Sequence, residues 1–286
     1  MAINFDRLMS LKIPDATQTY TRHDSILYAL GLGCGLGPSA DDELTFVYEE
    51  NQQAIPTMAG VLAHPGFWIR DLDTGIDWVR VVHGEQTLEM HTPLPVEGTV
   101  VGKNKVVDVI DKGEGGGALV ASERKLFDAA TNELIATVGQ VTFCRGQGGF
   151  GGPERPKTQP HAIPDRAADV SVTLETSQQS ALIYRLSGDF NPLHADPKVA
   201  KAAGFDRPIY HGLGTYGVAA RAILQGACGF DAAKIRVMNA RFTAPVFPGE
   251  TFLTEIWRDK NEISYRVRCV ERDLIAINNG KVLLND

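Results

Sequence analysis

The 286-residue chain is poor in cysteine. Its four, Cys34, Cys144, Cys228 and Cys269, are far apart and form no C-x-x-C pair. That spacing suits neither a zinc site nor a redox pair, and it argues against a disulfide framework. The chain also lacks any apolar run near the roughly 20 residues that span a bilayer. Positive charge is not in excess: 28 Lys and Arg stand against 35 Asp and Glu, for a net charge of -7. A general nucleic-acid binder needs a positive field, so that class is disfavoured, although a local basic patch for a small polyanion stays open. No G-x-S-x-G elbow supports a serine α/β-hydrolase. The opening MAINFDRLMSLKIPD places Asp6 and Arg7 where a signal peptide needs an unbroken apolar core, and the closing KVLLND is no recognisable address tag. The expectation is a cytoplasmic protein with no membrane and no nucleic-acid partner.

What is present fits a folded chain. Hydrophobic residues make up 43% and charged residues 22%, which suits one large domain or two ordinary ones. Residues 145–166, RGQGGFGGPERPKTQPHAIPDR, are rich in Gly and Pro and mark a boundary. The expected division is 1–150, a linker over 151–162, and 163–286. Before the linker, Thr99–Ile110, Ala118–Phe127 and Leu134–Cys144 alternate as antiparallel strands do; after it, Lys234–Phe242, Thr251–Trp257, Ile263–Val270 and Leu274–Asn278 repeat the design. Strands in such succession argue against a doubly wound sheet. Each half opens with a helical segment, one capped by Asp24 over Ser25–Leu30, one capped by Ser177 over Ala181–Leu186. Gly212 to Gln225 carries Val218, Ala219, Ala222 and Ile223 at helical spacing and is the candidate for a long central helix. At an offset of 156, SILYALGLGCG lies on ALIYRLSGDFN, with Tyr28 on Tyr184 and Leu30 on Leu186, and PLPVEGT later resembles PVFPGET. We read this as an internal duplication.

The densest polar cluster runs Tyr184-Arg185-Leu186-Ser187-Gly188-Asp189-Phe190-Asn191-Pro192-Leu193-His194. It cannot stay helical past Gly188 and Pro192, so Asp189, Asn191 and His194 lie on a tight loop, where short polar side chains cap backbone groups or face a ligand. A calcium loop would need Gly at its sixth position and Glu at its twelfth; His194 and Ala200 stand there instead. Further on, Pro208-Ile209-Tyr210-His211-Gly212-Leu213 leads into the central helix. A helix N-terminus exposes amides, and Gly212 lets a substrate oxygen come close. An acid–base pair beside such an end is equipment for chemistry next to a carbonyl.

Here the residues carry a resemblance. YRLSGDFNPLHADPKVAKAAGF followed by PIYHGL is similar to the signature of the MaoC-like, type-2 (R)-specific enoyl-CoA hydratases, and RHDSILYALG, HGEQTLEMHTPLP, DKGEGGGAL and RGQGGFGG resemble the N-terminal half of the family's two-unit members. The resemblance implies an α+β double hot-dog, each unit an antiparallel sheet wrapped around a long helix. It implies Asp189 and His194 as the catalytic pair, Asn191 as their companion and the Gly212 amide as thioester-oxygen donor. The implied reaction is reversible hydration of a trans-2-enoyl-CoA to a (3R)-3-hydroxyacyl-CoA, with acyl-CoA as substrate, no metal or redox cofactor, and a homodimer. At the offset of 156, Asp189, Asn191 and His194 fall on Gly33, Gly35 and Pro38, none able to transfer a proton, so one active site per chain is expected, with the N-terminal unit shaping the acyl and CoA pocket.

Gly146-x-Gly148-x-x-Gly151 matches a dinucleotide pattern, but Gly152-Pro153-Glu154-Arg155-Pro156 cannot open the required helix. Within the resemblance, Gly148, Gly149 and Phe150 are expected near the pantetheine, and Lys112, Arg145 and Arg241 are candidates for the CoA phosphates. His83 and His91, on a probable strand, read as structural or hydrogen-bonded; His211, bordering Gly212, reads so too and also stands among the candidate substrate contacts. The rival readings are a hot-dog acyl-CoA thioesterase and a non-catalytic acyl-CoA-binding module.

Overall fold

The computed structural model describes residues 3–37, 41–155 and 159–285. Its strands are β1 (Ala16–Tyr20), β2 (Val81–Met90), β3 (Gly98–Asp111), β4 (Ala118–Asp128), β5 (Leu134–Cys144), β6 (Val170–Glu175), β7 (Ile235–Phe242), β8 (Thr251–Asp259), β9 (Glu262–Cys269) and β10 (Leu274–Leu284). They form a single antiparallel sheet in the order β1-β3-β4-β5-β2-β7-β10-β9-β8-β6. Cut between β2 and β7, it falls into two five-stranded halves of identical topology, 1-3-4-5-2 and 6-8-9-10-7. The halves meet where Glu85 to Glu89 pair with Arg241 to Val237.

The alternating tracts lie where the side-chain period places them, because one face of each strand is buried. In β4, Ala118, Val120 and Leu126 are fully buried while Lys125 between them is exposed. β10 runs six residues past the expected Asn278 because Asn279 adopts a left-handed conformation and the ladder resumes after that irregularity. Alternation gives no warning of β1, which is short and largely polar, whereas β6 (VSVTLE) alternates and buries Val172 and Leu174.

The first opening helix spans Arg22–Gly31; its N-cap is Thr21, and Asp24 closes the capping box from the third helical position instead of capping it directly. The second is shorter than expected, Ser180–Tyr184 followed by a 3-10 turn over Arg185–Ser187. Ser177 caps nothing helical there; its hydroxyl accepts from the Gln179 amide. The two helices pack so closely that a Cβ on Gly31 would lie 3.1 Å from the Tyr184 backbone.

The central helix, Gly212–Ile223, is buried from Gly214 onward and ends in a π turn over Leu224–Cys228. Its small residues let neighbours approach: a Cβ on Gly214 would meet the Tyr210 ring at 2.6 Å. A long central helix in both units is an expectation the first half does not meet. Among the described residues its interior carries a buried 3-10 turn, Pro56–Gly60, and its longest helix is the ten-residue Arg22–Gly31. A left-handed Ala63 just after the turn keeps the segment from continuing as an α-helix. Arg221, 2% exposed, reaches from the central helix to the fully buried Glu43 with bonds of 2.5 and 2.9 Å, joining the two halves.

Candidate active site

The motif loop leaves its helix at Gly188, whose φ of +125° few L side chains adopt, and is then fixed by its own side chains. Asp189 Oδ1 accepts from the Asn191 amide at 3.2 Å, and Asn191 Oδ1 accepts from the Leu193 amide at 3.0 Å, capping the 3-10 turn Pro192–His194. That turn delivers His194 inward, 8% exposed, while Asn191 stays exposed. His194 Nδ1 lies 2.9 Å from the Ile209 carbonyl. A carbonyl can only accept, so Nδ1 carries the proton and Nε2 keeps a lone pair.

The second sequence element arrives from the other side. His211, 1% exposed, is the N-cap of the central helix, and its ring stacks on His194 with centroids 3.7 Å apart. Its Nε2 donates to the Asp189 carbonyl at 3.2 Å, and its Nδ1 is buried without a partner. Gly212 is the first residue of the helix, so its amide has no intrahelical acceptor; a Cβ placed on it would touch the Phe242 ring at 3.6 Å. Phe242 in turn meets the edge of His83 from β2, with centroids 4.8 Å apart. The site is thus assembled across the seam between the two halves.

Electrostatics keep both stacked imidazoles neutral. Burial pushes His194 below the ordinary histidine value, opposed by the Asp189 carboxylate. Burial and the adjoining His194 bring His211 down to about 3. His64 and His83, from the first half, are lowered to about 4, chiefly by desolvation, and both feel the Asp189 charge. Sequence reasoning missed His64 and Phe242; no local pattern announces either, since only the fold brings them here.

The ligand atoms of Asp189, His194 and His211 lie within 4.8 Å of one another, so a metal could be considered. The donors do not fit one. Two rings tilted by only 27° in a stack hold their in-plane lone pairs side by side, and these cannot converge on one ion at about 2.0–2.1 Å.

The comparisons with known proteins cover both halves of the chain. Residues 158–280 match the MaoC like domain, and residues 18–146 match the MFE-2 hydratase 2 N-terminal domain. The chain is 40% identical to 3-hydroxyacyl-thioester dehydratase Y of Mycobacterium tuberculosis, over 93% of this chain and 91% of that one. The chain belongs to the two-unit MaoC-like hydratase family. It is also 36% identical to the peroxisomal enoyl-CoA hydratase 2 of Arabidopsis thaliana, over 94% of this chain and 92% of that one. A MaoC-like dehydratase from Phytophthora capsici superposes with a TM-score of 0.89 at 31% identity, covering 99% and 98% of the two chains. A double hot-dog protein of Mycobacterium tuberculosis, 15% identical with a TM-score of 0.56, shares the fold over 99% of both chains.

Within this family fold the remaining expected residues scatter. Gly148, Gly149 and Phe150 belong to a turn folded onto Asp111, whose carboxylate accepts from Gly113, Gly149 and Gly151. Phe150, partly buried, packs against a second apolar cluster that includes Trp68 and Val109. Lys112 is exposed at the adjoining hairpin. Arg241 is half exposed beside Phe242 and lies 3.8 Å from Glu85. His211 departs from its expected place among the substrate contacts: it is walled in by His194, Tyr184 and Tyr210.

Proposed function

We propose that this protein hydrates trans-2-enoyl-CoA thioesters to (3R)-3-hydroxyacyl-CoA, reversibly, with Asp189, His194 and the Gly212 amide as its working groups. The observation that carries the reading is the neutral His194: its Nδ1 proton is held by Ile209, which leaves a buried basic Nε2 beside a carboxylate and an unpaired helix-end amide. An alkene takes up water only when a conjugated carbonyl absorbs the electron pair. The Gly212 amide, aided by the helix dipole, donates to the thioester oxygen as negative charge builds there. His194 Nε2 removes a proton from water as the water oxygen bonds to Cβ, and the Asp189 carboxylate stabilises the imidazolium. The enolate then takes that same proton at Cα, so H and OH enter from one face and His194 returns to neutral. Asn191, turned outward, is a positioning residue that caps the turn carrying His194. The reaction as written consumes no metal and no redox cofactor.

On the same reading Arg241 and Lys112 meet the CoA phosphates. Leu30 and Leu182 on the two packed opening helices and Leu186 on the 3-10 turn after the second, each over 40% exposed, support a homodimer, which light-scattering mass in solution decides. No helix is long and apolar enough to cross a membrane among the described residues. Four buried, unpaired cysteines suit a reducing compartment such as the cytoplasm; fluorescence of the tagged protein in its own cells reports the compartment.

The test is direct assay of crotonyl-, octenoyl- and decenoyl-CoA. Loss of enoyl absorbance without release of free thiol, giving the (3R) alcohol, is the expected result. Thiol release in its place makes the protein a thioesterase, and no turnover of all three overturns the reading.

A further inference from the structure

The inner face of the N-terminal half is not uniformly apolar. Following the register across β3, β4, β5 and β2, one row reads Asn104, Arg124, Val138, Leu88, and the next reads Val106, Ser122, Gln140, Gln86. These rows lie between the two apolar clusters, one containing Leu126 and Ala136, the other Val120 and Cys144. A small cavity opens onto this polar band, lined among others by Arg124, Gln86, Gln140, Asn104 and His64.

Arg124 is the anomaly. It is 6% exposed, and no carboxylate pairs with it among the described residues. Its Nη2 donates to the Ala59 and Gly60 carbonyls at 3.2 and 2.6 Å, while Nε is buried without any acceptor. The one acidic side chain on the cavity wall, Glu123, has Lys105 at 3.2 Å. A buried guanidinium without a counter-charge is costly and is ordinarily paired. Room is made for it: a Cβ on Gly102 would come within 2.9 Å of the Arg124 stem.

The same short segment that holds Arg124 also touches the catalytic loop. Ala59 and Gly60 supply the carbonyls, the Val61 carbonyl faces Gly188, and Ala63, held in the left-handed region at φ +46°, leads into His64. A left-handed alanine is strained, and such strain is retained where position matters. By strand spacing, the backbones of Arg124 and His83, which borders the site through Phe242, are about 16 Å apart.

Building on the hydration reading, we propose that Arg124 recognises an anionic group at the far end of the acyl chain, so that the preferred substrates are enoyl-CoA esters ending in a carboxylate. Gln86 and Gln140 supply neutral hydrogen bonds beside the charge, and His64, lowered to about 4, stays neutral and does not compete for the anion.

The experiment compares six-, eight- and ten-carbon trans-2-enoyl-CoA esters, each ending in a methyl or a carboxylate. At one or more lengths wild-type kcat/KM favours the carboxylate ester by at least about tenfold. Arg124→Met abolishes that ratio, chiefly through KM, and Arg124→Lys keeps part of it. Preference for the methyl ester at all three lengths, or an unaltered ratio in Arg124→Met, overturns the inference while hydration itself stands. Should Arg124→Met not fold, the wild-type ratio decides alone. Absence of turnover on every ester counts instead against the hydration reading.

Discussion

The two halves of the sheet share a topology and differ in what they do with the loop after their opening helix. In the C-terminal half that loop holds Asp189 and His194 at a part-open site, fixed by two Asx-type bonds. In the N-terminal half the aligned Gly33 and Gly35 sit at φ +82° and +83°, and the aligned Pro38 lies outside the described residues. There the Gly35 amide donates to Glu43 at 2.8 Å, and Glu43 clamps Arg221 of the central helix. One copy of the loop carries the proposed catalytic pair, and the other fastens the halves together. The interiors differ in parallel: Met238, Ile256, Tyr265 and Val282 give the second half an apolar wall around its helix, while the first half replaces its helix by a short turn facing a polar band.

If this division of labour holds, the largest effect belongs to the catalytic pair. His194→Ala and Asp189→Asn each lower crotonyl-CoA hydration by about a thousandfold or more, with the fold and melting temperature nearly kept, because both side chains end at the site. Gly35→Ala, at the matching place in the other half, does the opposite: it strains a left-handed backbone by about 1–2 kcal/mol and leaves kcat alone. Thermal melts and initial rates on the three variants separate the roles. Equal kinetic damage from both halves erases the distinction.

A smaller effect comes from the amide. Gly212→Pro removes the N–H at the first helical position, where proline is tolerated. His211, before it, already has φ -61° and ψ 138°, suited to the residue before a proline. The added Cβ meets Phe242 at ordinary contact distance. The expected outcome is a loss of about 10²–10³ in kcat with the helix retained by circular dichroism. Retained kcat places the thioester oxygen elsewhere.

How much of this was legible beforehand depends on the range of the interaction. The motif loop announces itself because Gly188, Asp189, Asn191, Pro192 and His194 are local signals of a turn, and Gly212 to Ile223 reads as a helix because its small and apolar residues recur at helical spacing. His211 gives no sign of being walled in, since its neighbours Tyr184 and His194 are 27 and 17 positions away. The polar band is invisible for the same reason: Arg124 on a strand looks like solvated surface until the register sets it between Asn104 and Val138. The missing first helix is hidden because Pro56 alone does not tell a 3-10 turn from a helix start.

The histidines offer the finest test, because two of them, His194 and His211, are buried as a stacked pair in the catalytic half. His194 and His211 are 8% and 1% exposed and lowered by burial, and desolvation lowers His64 and His83 of the other half to about 4 as well. In the unfolded chain each titrates near 6.5. Below that pH the unfolded state takes up protons that the folded His211 refuses down to about 3, so stability is fully present above 6.5 and falls as the medium is acidified. Each buried imidazole adds a slope of up to about 1.4 kcal/mol per pH unit. Urea midpoints measured between pH 7.5 and 5 therefore decline with falling pH before most carboxylates titrate, while the hydration rate, which follows neutral His194, persists below 6.5. A flat stability profile over that window means the stacked pair is reached by solvent, and then the desolvation that keeps Nε2 of His194 unprotonated is absent as well.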